Sequence, residues 1–127
     1  AALKLKELAY IHADGCAAGE LKHGALALLT QATPVIAILG QEESQEAMVT
    51  AIREIKVRGA PVIAVTPKTD NILESLADRI IAVPATHKLL QPVINAVALQ
   101  LLAYFTAREL GRSIDTPRNL AKSVTVT

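Results

Sequence analysis

Cysteine and aromatic residues are scarce in this chain. Its 127 residues include one cysteine, Cys16, which excludes an internal disulfide and favours a reducing compartment. Tryptophan is absent, and the aromatic residues are Tyr10, Tyr104 and Phe105. Half of the residues are nonetheless hydrophobic, so the core must consist of leucine, isoleucine, valine and alanine. The length fits one domain.

An excess of charge is also missing. Thirteen basic residues nearly balance twelve acidic ones, and no basic stripe interleaves with aromatics, so we expect no nucleic-acid binding. The chain has no glycine-rich phosphate loop, no G-x-S-x-G elbow and no metal-ligand spacing of histidine and cysteine. These absences disfavour nucleotide hydrolysis, serine hydrolysis and zinc chemistry. It opens with neither a signal peptide nor an initiator methionine, and we expect a piece of a longer protein.

Three short apolar runs rich in β-branched residues alternate with helical patterns, at 34–39, 61–66 and 79–84. Runs that are apolar on both faces are typical of strands in a buried parallel sheet. The order β-α-β-α-β predicts an α/β fold with right-handed crossovers. We therefore expect a Rossmann-like three-layer α/β/α arrangement, a parallel sheet with flanking helices that is incomplete in this piece.

Start and stop signals define the helices between and after these strands. Ser44 is the expected cap of the first, which Gly59 ends, and Asp70 or Asn71 is the expected cap of the second. A long apolar stretch at 89–110 follows. Because polar residues interrupt it, we expect a helix buried against the sheet or a partner subunit, and no membrane span.

Three polar clusters stand in apolar surroundings. Lys4 and Glu7 lie three residues apart and share a helical face, which by spacing alone indicates a surface ion pair. The segment GELKHG places His23 between glycines, where a structural histidine is the commoner outcome. The last cluster contains Lys122 in the closing segment, and chain ends are usually exposed. None of the clusters identifies a reaction by itself.

Taken together, four motifs carry a resemblance. In chain order they are LKLKELAYIHADG, AAGELKHG, LQLLAY and PRNLAKSVTV. This sequence resembles the glucosamine-6-phosphate synthase family (glutamine:fructose-6-phosphate amidotransferases) from residue 1 to residue 127. The matching part is the C-terminal sugar-isomerase (SIS) subdomain of the isomerase half. Ala25 departs from the family pattern, which commonly has proline there, and this predicts a less rigid loop.

The resemblance implies roles for five residues. Lys122 matches the lysine that forms a Schiff base with the C2 carbonyl of fructose 6-phosphate, and Glu7 matches the base that moves a proton between C1 and C2. His23 matches the histidine that opens the sugar ring across a subunit boundary. Lys4 assists near the C1 hydroxyl, and Ala121 touches the sugar through its backbone. These residue types suit the chemistry, because an apolar pocket favours a neutral amine and an imidazole titrates near neutrality.

The resemblance also implies a setting. Residues 1–115 would be the C-terminal part of the second SIS subdomain, and 116–127 an active-site tail. The enzyme would convert fructose 6-phosphate and glutamine into glucosamine 6-phosphate and glutamate, without metal or cofactor, as a cytoplasmic homodimer. An upstream SIS subdomain and an N-terminal glutaminase domain would complete it, and the isolated piece would be inactive.

Other functions remain open from the sequence. A non-catalytic SIS module that senses sugar phosphates is the main alternative, and it does not require Glu7, His23 and Lys122 together. An assembly module would explain the apolar stretch at 89–110 but not the tail. A related deglycase would look similar over this stretch, although the RNLAKSVTV ending argues against it.

Overall fold

The computed structural model describes residues 1–40 and 44–120. Three β-strands and four α-helices, the first a single turn, are joined by shorter helical turns. The strands are β1 Val35–Ile38, β2 Val62–Thr66 and β3 Arg79–Ala82, and the α-helices are α1 Ala2–Lys4, α2 Gln45–Val57, α3 Asn71–Leu76 and α4 Gln91–Glu109. Leu5–Ala9 is π-helical, and Ala18–His23 and Ala25–Leu28 are 3₁₀-helical.

The strands form one parallel sheet in the order β1-β2-β3. Val35 is opposite Val62 in the first pair, and Ile63 is opposite Arg79 in the second. Each strand lies within one of the predicted apolar runs. The prediction of a parallel α/β sheet with flanking helices is therefore confirmed.

The core lies between the sheet and α2. Ile52 and Ile55 on α2 are almost fully buried, as are Val62 on β2 and Leu73 on α3. β2 is the most buried strand because it has a neighbour on each side. Burying each of these large side chains contributes roughly 1.5–3 kcal/mol relative to its exposure.

The predicted helix boundaries have identifiable contacts. The Asp70 carboxylate accepts the Leu73 amide N–H at 2.8 Å, so Asp70, not Asn71, caps α3. Its other carboxylate oxygen accepts a hydrogen bond at 3.1 Å from the amide of Gln45, the first residue of α2. α2 follows Ser44 as predicted and ends before Gly59, whose φ of 79° continues the chain in a left-handed conformation.

α4 is buried along one side only, and its predicted burial against a partner subunit stays a prediction. One stripe of it is buried, made of positions four apart: Gln91, Asn95, Leu99, Ala103 and Ala107. Large apolar side chains on its other side are exposed, including Val93, Val97 and Leu101. The polar residues that interrupt the apolar stretch thus belong in part to the buried stripe. Within residues 1–40 and 44–120, no helix is long and apolar enough to cross a bilayer.

The buried polar residues on α4 form hydrogen bonds with the chain segments that follow β1 and β3. Gln91 bonds through its side-chain amide to the Pro84 carbonyl at 3.2 Å, the Thr86 amide at 3.0 Å and Asn95 at 3.1 Å. Asn95 in turn donates to the Leu39 carbonyl at 3.4 Å. These bonds satisfy side-chain groups that would be costly to bury alone.

The chain divides into two compact units. The sheet unit is Cys16–Ala98, and the terminal unit is Ala1–Gly15 with Leu99–Thr127. The predicted division between 1–115 and 116–127 is a functional one and stays a prediction.

The opening segment is helical but not a regular α-helix. After one α-turn, the coil widens, so that the Tyr10 and Ile11 amides both donate to the Leu5 carbonyl. It ends at Tyr10, whose φ of 58° is left-handed. The three-residue spacing of Lys4 and Glu7, which indicated a shared helical face, gives no sign of this widening.

Candidate functional site

Lys4 and Glu7 meet as their spacing predicts. The Lys4 Nζ atom lies 2.7 Å from Glu7 Oε2, on the helical opening segment. The Lys4 side chain is 46% exposed and the Glu7 side chain 25% exposed. A pair this exposed adds at most about 1 kcal/mol to stability, so the fold does not depend on it. The pair places a cation directly beside a carboxylate, an arrangement suited to stabilising charge near a proton-transfer site.

Glu7 also lines an open pocket of about 390 Å³ in the terminal unit. The opening segment and the last described residues of the chain both contribute to it. The lining residues are Lys6, Glu7, Tyr10, Ile11, His12, Arg118, Asn119 and Leu120. The pocket is thus lined both by the predicted base and by the described part of the predicted tail. Its size is sufficient for a small ligand.

Tyr10 makes the contacts that join these two segments. Its phenol oxygen accepts the Arg118 backbone N–H at 2.8 Å, across 108 positions of sequence. The Arg118 guanidinium carbon lies 4.2 Å from the centre of the Tyr10 ring, and that of Arg112 lies 5.3 Å from it. Such cation–π contacts are attractive at these distances. The sequence analysis did not identify Tyr10 as a site residue. Two features could have pointed to it: aromatic residues are rare in this chain, and Tyr10 lies within one of the four matched motifs.

The two tail residues with predicted roles, Ala121 and Lys122, lie outside the described residues. Leu120, which lines the pocket, immediately precedes Ala121. The roles of both tail residues stay predictions.

His23 belongs to the sheet unit, where it ends the 3₁₀ turn Ala18–His23. Its Nδ1 atom is 3.0 Å from Glu20 Oε2, and both side chains are mostly exposed, at 72% and 65%. Gly24 follows with a φ of 128°, and a second 3₁₀ turn starts at Ala25, so the residue in the usual proline position lies in a helical turn. An exposed imidazole with a single carboxylate neighbour is available to contact another molecule.

A second cavity, of about 520 Å³, opens beside the same turn in the sheet unit. Lys22 Nζ lies 2.9 Å from Glu54 Oε1, and the Arg58 guanidinium donates to the Glu54 backbone carbonyl. The lysine of the GELKHG motif is therefore paired with a residue of α2. A partly exposed ion pair of this kind holds the turn in place and does not indicate a reaction.

A shifted pKa is found at Asp78, away from these residues. Lys56 and the Val62 amide donate to the Asp78 carboxylate, both at 2.7 Å, and these bonds lower the pKa of Asp78. Asp78 thereby fastens the start of β3 to the start of β2 and to α2. Over the described ranges, no three histidine, cysteine, aspartate or glutamate side chains cluster in a way that could hold a metal ion.

Known proteins resemble this chain along almost its whole length. A family model described as SIS domain matches residues 1–107. A glutamine--fructose-6-phosphate aminotransferase [isomerizing] of Methanosarcina acetivorans is 53% identical over 125 residues. This match covers 98% of the chain but only 20% of that relative, so the chain spans about a fifth of its length.

Solved structures agree on the fold. The C-terminal domain of a glucosamine-fructose-6-phosphate aminotransferase from Francisella tularensis matches with a TM-score of 0.79 and 33% identity, over 91% of this chain and 32% of that one. A putative tagatose-6-phosphate ketose/aldose isomerase from Clostridium novyi matches with a TM-score of 0.80 over 99% of this chain and 36% of that one. At 21% identity, the second match indicates only a common fold.

Proposed function

Because the chain belongs to the SIS domain family, we propose that it is the isomerase segment of an enzyme that makes glucosamine 6-phosphate. The complete enzyme converts fructose 6-phosphate and glutamine into glucosamine 6-phosphate and glutamate. The observation that carries the proposal is the pocket that Glu7 lines together with Arg118, Asn119 and Leu120. This pocket brings the predicted base together with the chain segment that leads to Lys122.

Lys122 is the proposed nucleophile. Its neutral amine adds to the C2 carbonyl of open-chain fructose 6-phosphate, and loss of water leaves a C=N bond. An apolar environment around Lys122 in the complete enzyme would favour the uncharged amine that this step needs. Ammonia then adds to C2 and the Lys122 amine leaves, so that a C2 imine with the nitrogen of ammonia undergoes the isomerisation. Leu120 lines the pocket, and Lys122 follows it two positions later in the sequence.

Glu7 is the proposed base for isomerisation. Its carboxylate removes a proton from C1, and the same carboxyl returns a proton to C2, which converts the ketose skeleton into the aldose. Lys4, whose Nζ atom is 2.7 Å from Glu7, would stabilise the negative charge that develops on the C1 oxygen during this proton transfer.

His23 is the proposed ring-opening residue. Opening the sugar ring moves a proton between two oxygens, which an imidazole can mediate by acting as acid and base in turn. Its side chain is 72% exposed, which leaves it free to enter the site of a second copy. We therefore propose a homodimer in which His23 acts across the subunit boundary.

The remaining parts of the proposal concern the rest of the protein. The sugar phosphate would bind to an upstream SIS subdomain, Ala121 would contact the sugar through its backbone, and an N-terminal glutaminase domain would supply ammonia. The enzyme would work in the cytoplasm. The 127-residue chain alone would then form no glucosamine 6-phosphate from fructose 6-phosphate with glutamine or ammonia.

Borohydride trapping tests the central step. The chain would replace the matching segment of the M. acetivorans relative, and this hybrid would be mixed with fructose 6-phosphate and reduced. We expect a sugar adduct on Lys122 by mass spectrometry, and its loss in Lys122→Ala but not in Lys88→Ala, a variant at an exposed lysine. An adduct that persists in Lys122→Ala would show that Lys122 is not the nucleophile. A hybrid that binds the sugar without trapping it would favour the sensor function.

A further inference from the structure

We infer that Tyr10 is a positioning residue that fixes the start of the C-terminal tail against the segment carrying Glu7. The inference rests on the proposed function, because it assigns Tyr10 the task of placing Lys122 relative to that base. Tyr10 itself is not proposed to touch the sugar. Its contacts are with the protein segments that carry the reacting groups.

The hydrogen bond to the tail is independent of the side chain at position 118. Tyr10 accepts it, at 2.8 Å, from the Arg118 backbone N–H. A backbone donor fixes the path of the main chain itself, which a contact with a long flexible side chain would not do. Position 122 is four residues further along, so an error in the path at Arg118 is passed on to Lys122.

The Tyr10 ring holds the same segment a second time. The guanidinium groups of Arg118 and Arg112 approach it, with their central carbons 4.2 Å and 5.3 Å from the ring centre. Arg112 follows the end of α4, and Arg118 precedes the last described residues. One aromatic ring therefore contacts both ends of the connection from α4 to the tail.

The backbone conformation marks the same place. Tyr10 and Asn119 have φ angles of 58° and 60°, and within 1–40 and 44–120 they are the non-glycine residues in the left-handed region. Both line the pocket that contains Glu7. Left-handed residues other than glycine cost free energy and persist where their surroundings fix them. Tyr10 lies three residues after Glu7, so its conformation sets the relation between Glu7 and the tail.

Two substitutions separate the contacts of Tyr10. Tyr10→Phe removes the acceptor oxygen and keeps the ring, whereas Tyr10→Leu removes both. Tyr104→Phe is the matched control, because it removes a phenol oxygen from a partly exposed ring on α4. All three would be made in the hybrid enzyme.

Three readouts distinguish positioning from simple stabilisation. The rate of borohydride-trapped adduct formation on Lys122 should fall about tenfold in Tyr10→Phe and further in Tyr10→Leu, with a larger effect on kcat than on KM for fructose 6-phosphate. Hydrogen–deuterium exchange should quicken in tail peptides that include Arg118. The unfolding midpoint of Tyr10→Phe should match that of Tyr104→Phe.

Each contrary result has a separate meaning. If both Tyr10 variants trap sugar at the unsubstituted rate, Tyr10 does not position the tail. If trapping falls only in step with the unfolding midpoint while tail exchange stays constant, Tyr10 is merely structural and the inference is wrong. If the unsubstituted hybrid forms no adduct, the proposed function is wrong, and so is the inference that Tyr10 positions Lys122 for that reaction. Tail exchange would then still show whether Tyr10 holds the segment.

Discussion

The sheet unit and the terminal unit differ in the interactions that stabilise each of them. The largest fully buried side chains, Ile52, Ile55, Leu73, Val62 and Val65, all belong to the sheet unit. In the described part of the terminal unit, the buried apolar residues are Ala9, Leu99, Ala103 and Ala107, of which three are alanines. Directional polar contacts around Glu7 and Tyr10 are its other prominent feature. A region with a small core can still hold a defined geometry, provided that specific hydrogen bonds and ion pairs fix it.

This comparison predicts that substitutions in the two units have opposite consequences. In the terminal unit, removing a reacting group should impair the reaction and leave stability unchanged. In the sheet unit, removing buried volume should impair stability. The prediction with the largest expected effect concerns the reaction.

Glu7→Gln should reduce proton transfer in the hybrid enzyme by about 10²–10⁴-fold, because an amide cannot accept the C1 proton. The measurement is exchange of the C1 hydrogen of fructose 6-phosphate with deuterated solvent, followed by NMR. The unfolding midpoint should change little, since the Lys4–Glu7 pair is partly exposed. Glu109→Gln, at a side chain that is 75% exposed in the same unit, is the control. If Glu7→Gln exchanged the C1 hydrogen at the full rate, Glu7 would not be the base.

Ile52→Ala should destabilise the chain by about 2–5 kcal/mol, because it leaves a cavity at a fully buried position between α2 and the sheet. Urea unfolding of the 127-residue chain measures this. Val57→Ala on the same helix, at a side chain that is 86% exposed, should have almost no effect. Similar losses for the two variants would mean that the sheet unit does not depend on this core.

The smallest predicted effect concerns acid stability. The bonds from Lys56 and Val62 lower the pKa of Asp78, so its ionised form is favoured in the folded state. This contribution to stability is present above the unfolded-state pKa, about 3.9, and is lost as the pH falls through the lower folded-state value. The stability difference between the unsubstituted chain and Asp78→Asn should therefore shrink below about pH 4. Asp115→Asn, at an exposed position, should show a smaller change. A difference that stays constant from pH 7 to pH 3 would contradict the assignment.

The sheet unit could largely be predicted from sequence. The strands β1, β2 and β3 lie within the three apolar runs, and Asp70 and Gly59 occupy the expected helix ends. These features are local, because burial on both faces, capping and positive φ each constrain neighbouring residues. The exposed apolar side of α4 could not be predicted in this way, because a helix that is apolar all round does not indicate which stripe is covered.

For the candidate site, the sequence supplied candidate residues but not their surroundings. Spacing predicted that Lys4 and Glu7 share a face, and the resemblance identified His23, Lys122 and Ala121 as candidates. Neither predicted that Tyr10 would accept a hydrogen bond from Arg118. A contact over 108 residues depends on where the chain returns, which no local pattern encodes.

The sequence by itself determined the fold class and the order of the strands along the chain. These follow from periodicity and residue chemistry, which act over a few neighbouring positions. Only the tertiary structure decided which stripe of α4 is buried and that Glu7 shares a pocket with the segment preceding Lys122. It also decided that Tyr10 joins this segment to the one that carries Glu7. The physical reason is that such contacts form when distant segments pack together, and their geometry is set by the whole arrangement of the chain within that unit.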